Sequence, residues 1–462
     1  MRPESPSSLF GTRPIAPPAS LPRDLSTWLR TRPVFDSYAY GYPHKTAYRP
    51  FSEPRPLAPL WNLEDRSALF LYVHVPFCEM RCGFCNLFTQ VTPREELMAR
   101  YVATLEAQAA SVRSLLGASK FARVAVGGGT PTHLPMPEFA RVLDLVESFG
   151  VDLGSTPASF ETSPETSTLE KLKELEGRGV SRLSIGVQSF LDQELSALGR
   201  PTTGRAASDA LERIRRASIP VLNVDLIYGI PGQTETTLTT SIRAALTHRP
   251  EEIFLYPLYL RPLTGLGRRD VVFADRRTEL YRFGRELLLA EGYEQLSMRM
   301  FRRHSELDGP TCAPEYSCQQ DGMVSLGAGA RSYTRTLHYS DEWATSALGV
   351  KAIVSEWVAR APQEFERAGY GIALSERDQK TRYLIQSVLH ASGLDRGRYR
   401  ARFGSDPMDD RPELRELSEL GLADLTPSSL TLRPQAFELS DAIGPWLYED
   451  HVRELMRGFD LR

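Results

Sequence analysis

The stretch LFLYVHVPFCEMRCGFCNLFTQ, residues 69–90, decides how this chain is read. Leu69, Phe70, Leu71, Tyr72 and Val73 form an apolar run rich in strand formers, which ends at Pro76. Cys78, Cys82 and Cys85 follow, so C-x3-C-x2-C spacing sets three thiols in one short loop. Thiolates are the usual ligands of iron–sulfur clusters, which commonly take four. Three ligands leave one iron of a cubane open, and a catalytic metal site needs such a position. Ordinary buried cysteines, or three ligands of a structural zinc, are the plainer alternatives. Structural zinc brings its cysteines in paired knuckles and closes its shell with a fourth ligand, and no second knuckle exists here. The loop therefore reads as a cluster site.

The chain has 462 residues, enough for a large core and an appendage. Its hydrophobic content of 41% and charged content of 24% are those of a globular protein. A formal net charge of −3 makes no case for a nucleic-acid or anionic-membrane partner. No apolar run approaches the roughly 20 residues of a membrane span, and the N-terminus lacks the apolar centre of a signal peptide. Five cysteines, three of them in one loop, do not make a disulfide framework, which favours a cytoplasmic location.

Outward from the thiol loop, strand and helix alternate. Residues 1–67 form a proline-rich arm in which Tyr38, Tyr40, Tyr42 and Tyr48 surround Pro43-His44-Lys45. Aromatic density argues against a disordered tail. The arm is expected either to pack across the core or to act as a lid. Six β-branched, apolar runs follow at 69–75, 121–126, 158–162, 182–188, 221–228 and 253–259. Between them, 94–116 is the clearest helix, with Met98, Tyr101, Val102, Leu105 and Ala109 on one face. Near-continuously apolar strands alternating with helices indicate an α/β fold with a parallel sheet buried on both faces. A complete (β/α)8 barrel takes about 250 residues and eight units. Six units predict an incomplete barrel over 68–300, and an open doubly wound sheet is the alternative. A helix is expected at 275–291, then a mixed extension at 301–372. A helical, winged-helix-like module follows at 373–462, with helices at 377–389, 411–421 and 450–459 and a hairpin in ADLTPSSLTLRP. Acidic residues between Asp406 and Glu419 argue against DNA binding by that module.

In parallel α/β folds ligands sit at the carboxyl ends of the strands. Unusual polar residues recur at those ends here. Gly127, Gly128, Gly129 and Thr130 close the second strand, where glycine permits close backbone approach. Glu161 closes the third and Gln188 the fourth, with Arg200 twelve residues beyond. Asn223 and Asp225 share one face of the fifth by the period of two, and a charge inside such a run is costly unless paired or used. Tyr256, Tyr259 and Arg261 follow the sixth and are expected on the substrate side.

These motifs together resemble radical S-adenosylmethionine (SAM) enzymes. The match is to the branch of the oxygen-independent coproporphyrinogen dehydrogenases (HemN) and heme chaperones (HemW). The carriers are Y-x-H-x-P-F-C-x3-C-x2-C, GGGTPT at 127–132, SIGVQSF at 184–190, N-x-D-L-I-Y-G-x-P at 223–231 and SLGAGARS at 325–332. The resemblance implies that Cys78, Cys82 and Cys85 hold a [4Fe–4S] cluster whose free iron chelates SAM. One electron then cleaves SAM to methionine and a 5′-deoxyadenosyl radical, which abstracts hydrogen from a substrate. It further implies SAM contacts from Tyr72, the Gly127–Thr130 backbone, Glu161, Gln188, Arg200 and Asp225. His74 is expected to support the site rather than to ligate.

Two departures bear on the substrate. Coproporphyrinogen dehydrogenases carry a further cysteine two residues after the third ligand, and Leu87 stands there. The chaperones' heme motif is altered in HYSDEW, 338–343, where His338 reads either as a heme ligand or as a satisfied surface histidine. Cys312 and Cys318 are too few for a second four-thiolate cluster. The expected activity is hydrogen abstraction from a small molecule, with a tetrapyrrole as one candidate. A heme-binding carrier and a two-SAM methyltransferase or cyclopropane-forming enzyme stand as alternatives. A flavodoxin or ferredoxin is the expected electron donor.

Overall fold

The computed structural model describes residues 24–35, 41–91, 93–269, 274–303 and 317–460. Tyr38, Tyr40 and Cys312 lie outside the described residues.

Six parallel strands form where the apolar runs predict them: β1 (Leu69–Val75), β2 (Phe121–Gly128), β3 (Ala158–Thr162), β4 (Arg182–Gln188), β5 (Val221–Tyr228) and β6 (Glu252–Pro257). Each is followed by a helix: α1 (Glu95–Leu116), α2 (Met136–Glu147), α3 (Leu169–Gly177), α4 (Gly204–Arg216), α5 (Glu235–Thr247) and α6 (Arg277–Ala290). The strands lie side by side in chain order. Right-handed crossovers that always step the same way put every helix on one face. A doubly wound sheet needs a reversal of strand order, and none occurs among these six. The partial barrel is the architecture that results. α1 buries Met98, Tyr101, Val102, Leu105 and Ala109, the stripe its spacing predicts.

The sheet continues past both ends of the six. A seventh strand, β7 (Met323–Leu326), pairs parallel to β1, with Ser325 opposite Tyr72. The sequence reading missed it: four residues ending at a glycine are too short to show a period. Antiparallel strands Arg331–Tyr333, Leu337–Ser340, Arg367–Ala373 and Arg49–Pro56 extend that side, and Met300–Arg303 and Tyr293–Gln295 the other. The two outermost strands do not pair with each other, so the barrel stays open.

One hydrophobic core fills the space between the parallel strands and their helices. A second belongs to the C-terminal module, built on α7 (Glu376–Val388) and the antiparallel pair Ala423–Leu425 and Ser429–Leu432. Leu394–Asp395 adds a third strand that was not foreseen. Arm residues Leu25, Trp28, Tyr42, Ala47 and Tyr48 are buried in this second core. Trp28 donates its indole N–H to the Ala442 carbonyl at 2.9 Å, and the Tyr42 hydroxyl donates to Asp378 at 2.7 Å. Phe35, Leu57 and Trp61 are buried in the first core, so the described part of the arm packs into both cores. A buried ion pair, Arg299 with Asp441 at 2.6 Å, ties that module to the barrel, and the Tyr259 hydroxyl bonds to both. Tyr259 is therefore spent on the junction rather than on the substrate side.

Candidate active site

The thiol loop leaves β1 at the barrel mouth. Phe77–Cys78 pairs in parallel with Gln90–Val91, and the Cys85 N–H donates to the Cys82 carbonyl at 3.1 Å, which closes a tight turn. Gly83 anchors the turn: its N–H donates to Leu198 O at 2.9 Å and its carbonyl accepts from Leu266 N at 2.7 Å. A Cβ there would stand 2.8 Å from Leu198 O. Cys78, Cys82 and Cys85 are half-buried free thiols. Burial pushes Cys78 up to about 12, and Cys85 up as well, and the neighbouring thiols add to both shifts. Three half-buried thiols that repel one another as anions call for a cationic centre. Among the described residues no three His, Cys, Asp or Glu side chains converge as they would on a single ion. Thiolates of a cubane ride on separate irons and need no such convergence.

Strand ends meet this loop directly. The Thr130 hydroxyl donates to Cys78 Sγ at 3.6 Å, and the Thr130 N–H donates to the Phe77 carbonyl at 2.7 Å. Arg200 is buried and bridges two elements, donating to Cys82 Sγ at 3.3 Å and to the Gly186 carbonyl at 2.7 Å. The three glycines at and just past the end of β2 are sterically required. A Cβ on Gly127 would sit 2.7 Å from the Glu161 carboxyl carbon, and one on Gly129 would sit 2.5 Å from Phe77 O. Gly128 has φ +115°, and a Cβ there would strike the His74 ring at 2.4 Å. Its N–H donates to Glu161 Oε2 at 3.0 Å.

His74 itself is buried and supports the loop. Its Nε2 faces the Phe88 carbonyl at 3.2 Å and its Nδ1 the Tyr72 hydroxyl at 3.0 Å. Those partners assign the proton to Nε2 and leave Nδ1 to accept from Tyr72. Burial pushes the ring down to about 4, so it stays neutral.

Inside the barrel, Glu161 and Asp225 line one cavity of about 170 Å³ with Ser159, Arg182, Ser184, Asn223, Phe254 and Tyr256. Glu161 is open to the lumen although protein surrounds it, and burial still raises its carboxyl. Burial pushes Asp225 up to about 7, against the opposing pull of the Asn223 amide, which donates to it at 2.7 Å, and of Arg182. Asn223 also donates to the Ser184 hydroxyl at 2.7 Å. Arg182 pairs with buried Glu252 at 2.8 Å and donates to Ser159 at 2.8 Å, which closes the floor. Gln188 ends β4 at φ +73°, left-handed for a residue with a side chain, at a register shift against β5. Such strain clusters at ligand sites.

The sequence reading missed Ser159, Arg182 and Ser184. The period of two that joins Asn223 to Asp225 also joins Ser159 to Glu161 and Arg182 to Ser184, so the signal was present. Tyr256 lines the cavity as expected. Leu87 is 51% exposed on the thiol loop. His338 is fully buried, with Nε2 on Arg382 at 2.7 Å and the Tyr333 ring 4.4 Å away, which closes it to an iron. Burial pushes the unpaired thiol of Cys318 up to about 11.

The radical SAM superfamily model matches residues 72–245. The heme chaperone HemW of Bacillus subtilis is 30% identical over 290 residues, covering 58% of this chain and 74% of that protein. The chain belongs to the radical SAM superfamily. An oxygen-independent coproporphyrinogen III oxidase of Bradyrhizobium diazoefficiens is 27% identical over 364 residues, 75% of this chain and 79% of that one. Coproporphyrinogen III oxidase HemN of Escherichia coli shares the fold at a TM-score of 0.73 and 22% identity, over 87% of this chain and 96% of that chain. As a radical SAM protein the chain takes a [4Fe–4S] cluster and SAM as cofactors. No described helix is long and apolar enough to cross a membrane. The donor set fits both cofactors. Three thiols await a cation, and two buried polar atoms, Arg200 Nε and Asn223 Oδ1, have no hydrogen-bond partner. Gly127 and Gly129 keep clear a cradle that side chains would fill.

Proposed function

We propose that this chain is a HemN-like radical SAM enzyme acting on a small molecule, with a porphyrinogen as the first substrate to test. The observation that carries the reading is the continuity of the site: thiol loop, glycine turn and polar lumen join through Thr130, Arg200 and Glu161. Cys78, Cys82 and Cys85 would hold the cluster, and the backbone of Gly127–Thr130 with Glu161 would receive the amino group of SAM. Arg200 would take the carboxylate, while Gln188 and Asp225 would take the ribose, with Asn223 orienting Asp225 by its amide hydrogen bond. Tyr72 would close the near side, held by His74. When bound, the cluster and SAM would supply hydrogen-abstracting radical chemistry at this site. The protein's own part would be to orient both molecules and to exclude water and oxygen around them.

The reading places 1–67 as an arm, 68–300 as the catalytic barrel, 301–372 as its substrate-side extension and 373–462 as the C-terminal module. It also takes the protein as cytoplasmic, reduced by a flavodoxin or ferredoxin. Leu87 in place of a cysteine separates the chain from coproporphyrinogen dehydrogenases at one position. Heme carriage is the second reading, favoured by the likeness to HemW and opposed by the burial of His338. Anaerobically reconstituted protein, given SAM, dithionite and coproporphyrinogen III, should yield 5′-deoxyadenosine in proportion to decarboxylated product. Stoichiometric hemin binding with no substrate-dependent SAM cleavage would favour the carrier.

A further inference from the structure

A buried polar network joins the turns that follow β4 and β5, and the chemistry of the site makes no direct use of it. At its centre is Glu194, 5% exposed on the short helix Asp192–Ala197. Its Oε2 accepts from the Ser189 hydroxyl at 2.6 Å and from the Gln233 amide at 3.1 Å, while its Oε1 is buried with no hydrogen-bond partner. The other buried carboxylates, Glu252, Asp378, Asp441 and Glu449, each pair with an arginine or a histidine. Among the described residues, Glu194 is held by neutral donors only. An acid kept in the interior on those terms is costly unless its strength as an acceptor is needed there. Ser189 gives its proton to Glu194, so it must accept from Ser241, 3.1 Å away, and it also accepts from the Leu191 N–H at 3.1 Å. Ser241 in turn accepts from the Phe190 N–H at 3.1 Å. On the other side, the Gln233 side-chain oxygen accepts from the Gly229 N–H at 2.8 Å, and its nitrogen donates to the Ile227 carbonyl at 3.3 Å. These partners fix which way the amide points. Ser189, Ser241 and Gln233 are all buried. Both turns belong to the site. Gln188, at φ +73°, immediately precedes Ser189, and the strand that carries Asp225 runs into Gly229, at φ +81°. The same short helix leads to Arg200, whose N–H donates to the Leu195 carbonyl at 2.9 Å.

We propose that Glu194 is a positioning residue: by bridging Ser189 and Gln233 it locks the turns after β4 and β5 together, and so sets Gln188 and Arg200 for SAM. This rests on Gln188 and Arg200 being SAM contacts. Gln188 holds a left-handed backbone at a register shift, and a turn released from the network would relax out of it. A contact whose donor can wander loses much of its worth to the ligand. Glutamine at 194 keeps the one oxygen that both donors need, whereas leucine keeps the bulk and removes the acceptor.

The test uses the full-length protein with its cluster reconstituted. Hydrogen exchange without SAM, read by mass spectrometry, follows peptides over 186–193 and 227–234, and SAM affinity is measured by equilibrium dialysis. Glu194→Leu should speed exchange in both peptides by about tenfold or more, reaching the second through Gln233. Peptides from α7 should exchange as in wild type, which separates this effect from a general loosening. Gln233→Leu should act alike, and the two substitutions together should add little to either alone. SAM should bind Glu194→Leu about tenfold or more weakly, while Glu194→Gln stays within about threefold of wild type. Iron content matching wild type certifies the thiol loop in each variant. Faster exchange in one peptide alone, wild-type SAM affinity in both leucine variants, or Glu194→Gln failing as far as Glu194→Leu would overturn the proposal. Where Glu194→Leu does not fold, Gln233→Leu carries the same comparisons. Gln188→Ala is measured beside them. Wild-type SAM binding there would remove Gln188 as a SAM contact, while the exchange of the two turns still judges the bridge that Glu194 makes.

Discussion

Replacing Asp225 by asparagine should stabilise the ligand-free protein and weaken its hold on SAM. Burial lifts this carboxyl from its ordinary 3.8 to about 7. The folded state therefore binds a proton that the unfolded state has already released, across the window between those two values. Stability falls as pH rises through that window, and the full penalty is present above about 7. About three pH units correspond to a ceiling of about 4 kcal/mol. Asp225 borders the lumen, whose water screens part of this, so about 2 kcal/mol is the expected gain at pH 8. Asparagine keeps the acceptor that Asn223 needs and drops the charge. Glu161 gains as well, because its charge and that of Asp225 repel. The assay is urea denaturation of the apo protein at pH 4 and pH 8, beside SAM binding by equilibrium dialysis at pH 8 on reconstituted protein. The variant should match wild type at pH 4, exceed it at pH 8 and bind SAM about tenfold or more weakly. A gain equal at both pH values, or a loss at pH 8, refutes the electrostatic reasoning.

Other substitutions separate site from scaffold. Gly127→Ala should displace the Glu161 carboxylate, at a cost of about 1–3 kcal/mol for an overpacked contact, and should lower SAM affinity measured by dialysis. Gln188→Gly should relieve the left-handed backbone and raise apo stability by up to about 1 kcal/mol in denaturant, yet reduce SAM cleavage. Asp441→Ala removes the carboxylate that pairs with buried Arg299 and should cost about 3–5 kcal/mol, visible as earlier loss of the C-terminal module in limited proteolysis.

Most of the barrel was legible because each of its strands is an apolar run long enough to show itself, and because ligand-binding residues collect at strand ends. Glu161, Gln188 and Asp225 stood out at strand ends, and the family resemblance supplied the roles expected of them. β7 could not, since Met323–Leu326 is too short to carry a period, and neither could Leu394–Asp395. Contacts that cross the chain were also invisible. Nothing in the order of residues announces that Lys45 of the arm lies over the Trp343 ring, or that Tyr259 is bound by Asp441. Such meetings follow from tertiary packing, here from burial of arm and C-terminal helices in one core. His338, left open from sequence between a heme ligand and a surface histidine, instead packs in the interior against Tyr333 and Arg382.

The most direct measurement is electron paramagnetic resonance of the reduced, reconstituted protein with and without SAM, alongside its metal content. Four irons per chain, and a cluster signal that shifts on SAM addition and vanishes in Cys82→Ala, are the predicted result. Zinc in place of iron, or a cluster signal indifferent to SAM, would contradict the account.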